Sequence, residues 1–183
     1  MKLVINNPYR VIGISANDSA REIQARRGKI RAYANIGKII TSKYDFTFLS
    51  SIVRDTEIID KAFSDIEQNA NKVIHSLFWF TNLNPVDNTA IQHLVSGNKE
   101  KAIEIWDKLT DGKEVTSKNF SAFNNIQTKY LSKSVNPNRN NNYHLFSLLY
   151  DKKNYIYKYL IFKNIHQNLI QELYLKLKNK HGN

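Results

Sequence analysis

The chain has 183 residues, 42% of them hydrophobic and 11% aromatic, which is the composition of a globular protein and excludes a disordered one. It contains no cysteine, so a disulfide framework, a thiolate nucleophile and a zinc–thiolate site are excluded. The formal net charge of +11 favours an acidic partner such as nucleic acid, although an excess of Lys, Asn, Ile and Tyr together, the residues of A/T-rich codons, accounts for part of it without any ligand.

The first residues, Met1 to Pro8, carry too short an apolar run for a signal peptide, and no run approaches the ~18 apolar residues of a transmembrane helix. A cytoplasmic protein with no membrane contact is expected. Pro8 to Ile14 is a short apolar segment in which Gly13 suits a helix stop. Ser19-Ala20-Arg21-Glu22 matches a capping box, because the serine oxygen can accept from the N–H three residues on while the glutamate reaches back. A helix is therefore expected from about Ala20 to Asn35, with Ile23, Ile30 and Tyr33 or Ala34 inward. Arg21, Arg26, Arg27, Lys29 and Arg31 make it strongly basic, and Lys38 follows its end. Those charges read either as a solvated face or as a docking face for an acidic partner, with Arg26, Arg27, Lys29, Arg31 and Lys38 as the candidate contacts.

Ile36-Gly37-Lys38 ends this helix, and the linker Lys43 to Leu49 carries aromatics expected to tuck against the core. Asp55 or Thr56 can cap the next helix, where Ile58, Ile59, Ala62, Phe63 and Ile66 fall at three-and-four spacing. Val73, Ile74, Leu77 and Phe78 resume that spacing after a break expected over Gln68-Asn69-Ala70-Asn71. Phe78-Trp79-Phe80 is too aromatic for water and is expected to bridge towards Trp106.

Asn82 to Asn88, with Pro85, is the candidate boundary between a unit over residues 1–81 and another over 82–183. Ala90, Ile91, Leu94 and Val95, then Gly97-Asn98, then Ala102, Ile103, Ile105, Trp106 and Leu109 spell a helical hairpin. It resembles half of a tetratricopeptide unit, but one copy is not an array. Thr116 or Ser117 can cap a helix carrying Phe120, Phe123, Ile126, Tyr130 and Leu131. Residues 136–142 read as an exposed loop, and residues 143–180 as further helices. No stretch alternates as a half-buried strand does, so the fold is expected to be all-α.

Catalytic signatures are lacking. None of the six glycines stands in a phosphate-binding loop or dinucleotide fingerprint. His75, His93, His144, His166 and His181 include no pair at helical metal-ligand spacing, and the serines and acids show no elbow or triad pattern. The expected protein is not an enzyme and uses neither cofactor nor metal. Twelve basic against three acidic residues fall in 113–183. On a single strand of nucleic acid, lysines would follow phosphates while tyrosines stack on bases. Tyr155 and Tyr159 instead sit at the spacing of a packed helix face, so nucleic-acid binding is expected to be weak, and Lys152, Lys153, Lys158, Lys163, Lys176 and Lys178 to be solvated.

Tyr9 with Gly13, Ser19-x-x-Glu22-Ile23, and Ala62-Phe63-x-x-Ile66 with Lys72 occur in the order of a J domain, and residues 7–75 resemble one. The resemblance implies three helices, of which the basic second and the His-Pro-Asp turn after it engage a heat-shock chaperone ATPase and stimulate hydrolysis. Here the turn aligns with Asn35-Ile36-Gly37, so none of those three residues is present, and Ile39 to Arg54 is a longer insertion. Leu77-Phe78-Trp79-Phe80 with Gly97-Asn98-Lys99-Glu100-Lys101-Ala102-Ile103-Glu104-Ile105-Trp106 further resembles a group of uncharacterised bacterial J-domain-like proteins, a likeness that implies no established activity. The combined expectation is a degenerate J-like unit fused to a helical hairpin. Such a protein would act as an interaction or chaperone-adaptor module that does not stimulate the ATPase, with nucleic-acid binding as the alternative.

Overall fold

The computed structural model describes residues 2–133, and within them every regular element is a helix. These are α1 (Lys2–Ile5), α2 (Pro8–Ile12), α3 (Ala20–Asn35), α4 (Thr56–Glu67), α5 (Asn69–Ser76), α6 (Pro85–Val95), α7 (Lys99–Thr110) and α8 (Phe120–Lys133). None of the described helices is long and apolar enough to cross a membrane. The loop expected at 136–142, the helices expected over 143–180 and the lysines and tyrosines assigned to them lie outside the described residues.

The short helix α2 is the centre of the fold, and all five of its residues are buried. Asn7 starts it by accepting from the Tyr9 N–H at 3.0 Å, and Pro8 takes the first helical position, where a missing N–H costs nothing. The Asn7 amide also donates to the carbonyls of His75 (2.9 Å) and Phe78 (3.2 Å), which ties α2 to α5. At the other end Gly13 has φ +80°, a conformation natural to a residue without a Cβ. A Cβ there would lie 2.6 Å from both Arg26 Nη2 and Ser42 Cβ.

A helix this short leaves its last carbonyls without partners of its own. Arginines supply them. Arg54 donates to the carbonyls of Val11 (2.7 Å), Arg10 (3.1 Å) and Ile40 (3.2 Å) and makes a two-pronged ion pair with Asp45. Arg26 donates from Nε to Ile12 at 2.8 Å and from Nη2 to Thr41 at 3.1 Å, and Ser42 Oγ donates to Gly13 at 2.8 Å. Guanidinium charge at this end also suits the negative pole of the helix. The insertion from Ile39 to Arg54 is therefore the bracket that holds α2 by its C-terminus.

Its aromatics pack as expected. Tyr44, Phe46 and Leu49 are buried, and Phe46 meets Phe80 edge-on at 5.1 Å and lies 6.4 Å from Trp79. The Trp79 indole donates to the Ile14 carbonyl at 2.9 Å. The ring that reaches Trp106 is Phe80, stacked at 6.3 Å, rather than Phe78 or Trp79: Trp79 is turned instead towards Tyr44 and the end of α2.

Asp55 caps α4 through the Ile58 N–H at 2.8 Å, and Ile59, Ala62, Phe63 and Ile66 form its buried face against α2. Ile58, expected on that face, is 39% exposed because it lies one position round the helix from Ile59. The break after α4 is confined to Gln68, which adopts an extended conformation, and α5 resumes at Asn69. In the hairpin, Asn84 caps α6 and Asn98 caps α7, with Ala90, Ile91, Leu94, Ala102 and Trp106 between them. Val95 falls outside this face at 38% exposure. Thr116 opens a turn, with its N–H and hydroxyl both on Asn119 Oδ1, so α8 starts later, at Phe120. Tyr130, expected to pack, is 46% exposed, while Leu131 is buried.

The boundary expected near residue 82 is crossed by hydrogen bonds on both sides. Asn125 grips the backbone of Thr81 at N–H and carbonyl, each at 2.8 Å, Asn124 donates to the Trp79 carbonyl at 2.8 Å, and Ala16 N–H donates to Phe80 at 2.9 Å. One hydrophobic cluster runs from Val4 to Leu131.

Candidate functional site

The third helix is built as its sequence dictates. Ser19 Oγ accepts from the Glu22 N–H at 3.3 Å, and the Glu22 carboxylate accepts from the Ser19 N–H at 2.7 Å, closing the capping box. Those two bonds hold the Glu22 carboxyl below its ordinary range. The helix ends in a paired-bond motif around Gly37 at φ +66°, where Lys38 N–H donates to Tyr33 (2.9 Å) and Gly37 N–H to Ala34 (3.0 Å). Of its sixteen residues Ile30 is the buried one, with Ile23 and Tyr33 partly buried. This is an unusually exposed helix for its length, with no continuous apolar face to hold it.

The basic residues singled out from the sequence divide into two groups. Arg26 points inward to the end of α2 as described. Burial lowers its pKa, as does the charge of Arg54, and Asp45 raises it in part. Arg27 fastens α3 to α4: its guanidinium lies 4.2 Å from the Phe63 ring centroid and 2.5 Å from Glu67 Oε1. Lys29, Arg31 and Lys38 are exposed, as is Arg21. Lys29 Nζ sits 5.9 Å from the Tyr33 ring. Among the described residues none of Arg21, Lys29, Arg31 and Lys38 forms an ion pair. Beside them the turn leaves Ile36 64% and Ile39 79% exposed. The site is thus an outward basic face with two isoleucines at its end.

Two other surfaces are formed. On α7, Glu100, Glu104, Asp107 and Asp111 flank Ile103. Here Glu104 is already bonded to Lys101 (2.8 Å) and Lys108 (3.0 Å), which pull its pKa down to about 2. The second surface is a cleft of about 410 Å³ between α2, α4 and residues 51–53, with Arg10 among its lining. Arg10 is 2% exposed, a burial that its sequence context does not signal. Nothing in the pattern around Pro8 distinguishes a buried arginine from a solvated one.

The interior holds a polar cluster that sequence reading also missed. Asp87 is fully buried. It accepts from the Trp106 indole (3.0 Å), the Asn125 amide (3.3 Å) and the Leu83 N–H (3.1 Å), so its role is to join α6, α7 and α8. Its one legible signal is position: Asp87 stands three residues after Asn84, in the first turn of α6. His75 is half-buried, and burial lowers its pKa, while Asp65 raises it in part. Among the described residues no group of three His, Cys, Asp or Glu could hold a metal. No protein-family model, no curated protein and no solved structure matches the chain.

Proposed function

We propose that the protein is a non-catalytic interaction module that docks another protein on the outward face of α3 and the turn that follows it. The observation that carries this reading is the division among the basic residues of α3. Arg26 and Arg27 are engaged inside the fold, whereas Lys29, Arg31 and Lys38 face solvent beside the exposed Ile36 and Ile39. Like charges on one helix face repel weakly and contribute nothing to folding, so the fold does not account for them. A surface mixing cations with isoleucines complements acidic and apolar side chains together. A phosphate backbone would answer the cations alone, which places nucleic acid second.

The resemblance to a J domain supports a heat-shock chaperone ATPase as the partner class, docked without being stimulated. Asn35-Ile36-Gly37, where the stimulating turn would stand, serves here as a helix cap and carries no ionisable side chain. Affinity capture from the native cell tests the docking face. A protein retained by the wild type after nuclease treatment and lost by Lys29→Glu/Arg31→Glu/Lys38→Glu is the expected result. Retention that survives the triple reversal removes α3 as the docking face, and retention abolished by nuclease moves nucleic acid into first place.

A further inference from the structure

The cleft below α2 is separate from the α3 face. Its walls are Ile5, Pro8, Val11, Ile52, Val53, Ile58 and Ala62, and its volume of about 410 Å³ is that of a small-ligand pocket. Val53 and Ile58 at its mouth are 68% and 39% exposed, more than folding alone would leave in water at adjacent sites.

At its base lies Arg10, whose charge is poorly answered. Nη1 donates to the Ile5 carbonyl at 2.6 Å, Nη2 donates to Ser50, and Nε is buried without a partner. The nearby carboxylate, Asp45, is taken up by both prongs of Arg54 and by the Ser42 N–H at 2.8 Å. Around the end of α2 the guanidiniums of Arg10, Arg26 and Arg54 therefore share a single carboxylate. A buried charge facing only neutral carbonyls is costly, and an anion brought beside it from an apolar cleft offsets that cost. At the rim Lys61 and Asp65 cancel one another and leave the sign of the site to Arg10.

We infer that this cleft binds a small amphiphilic carboxylate, its head towards Arg10 and its apolar chain along Val11, Ile52, Val53 and Ile58. The probes are octanoate, octanol and octylamine, titrated calorimetrically into the full chain. Octanoate binds at least about tenfold more tightly than either uncharged or cationic analogue. Arg10 also holds Ile5 and Ser50, so an Arg10 variant risks misfolding, and the exposed wall supplies the controls. Val53→Glu and Ile58→Glu keep the helical circular dichroism of the wild type and weaken octanoate by about tenfold or more, because a second carboxylate then stands at the mouth. Octanol binding as tightly as octanoate would mean an apolar surface only. Absence of saturable octanoate binding, or binding unchanged in both glutamate variants, would mean that Arg10 is a structural clamp and the cleft holds no anion.

Discussion

Replacing Arg54 with methionine removes the bracket at the end of α2 while keeping most of the side-chain volume. The change strips donors from three carbonyls, those of Arg10, Val11 and Ile40, and leaves Asp45 without its ion-pair partner. Each buried carbonyl left unpaired costs about 1–3 kcal/mol, and breaking a buried ion pair about 3–5 kcal/mol. These terms overlap, and Asp45 keeps 24% of its side-chain surface in water, so the expected net loss is about 3–5 kcal/mol. Arg54→Lys retains the charge but not the fork, and about half of that loss is expected. Urea unfolding followed by circular dichroism gives both values. The pH dependence adds a second check. Burial raises the Asp45 pKa, but the Arg54 hydrogen bonds, the Ser42 N–H and the charges of Arg54 and Arg26 more than offset this and hold it below the carboxylate range. A depressed pKa contributes stability that is present above the unfolded value of about 3.9 and is lost as pH falls through the folded value. That acid-side loss should shrink in Arg54→Met. A methionine variant within about 1 kcal/mol of wild type would show that the bracket does not hold α2.

Phe63, 2% exposed on α4 and covered by Arg27, should cost about 3–5 kcal/mol when truncated to alanine, and a melting temperature within about two degrees of wild type would remove it from the core. Trp106→Phe keeps the stack on Phe80 but deletes the indole donor to Asp87, so a loss of about 1–3 kcal/mol is expected in urea, and no loss would mean that Asp87 is satisfied by Asn125 and Leu83 alone. Burial, with a smaller push from Asp18, lifts Tyr9 to about 12, and burial also lifts Tyr44 to about 12. Their raised folded pKa values mean that the stability they contribute is intact below the unfolded value of about 10 and is lost as pH rises towards 12. Ultraviolet titration should find two tyrosines that ionise only in that range, and their ionisation near the unfolded value in folded protein would contradict the burial.

Local signals in the sequence read well. Ser19 and Glu22 fix the start of α3, Gly37 its end and Asp55 the start of α4, because each acts within three or four residues of chain. The apolar spacing of Ile59, Ala62, Phe63 and Ile66 likewise identified a buried face, since helical period alone decides it. What escaped was set by distant chain. Arg26 shares its helix face in sequence with the solvated cations, and turns inward because Ile12 and Thr41 present carbonyls there. Arg10 and Asp87 are charged residues at fully buried positions, justified by partners up to 40 residues away. Phe80 rather than Trp79 meets Trp106 because the indole of Trp79 is committed to Ile14. The candidate docking face was legible as charge but not in its division, which required knowing which cations already had partners.

Docking without stimulation is measured most directly by titrating the full chain against the heat-shock chaperone ATPase of its own cell, following binding by fluorescence anisotropy and turnover by steady-state hydrolysis. The expected result is salt-sensitive binding that Lys29→Glu/Arg31→Glu/Lys38→Glu abolishes, with turnover unchanged throughout. Several-fold stimulation of hydrolysis, or binding indifferent to the triple reversal, would contradict it.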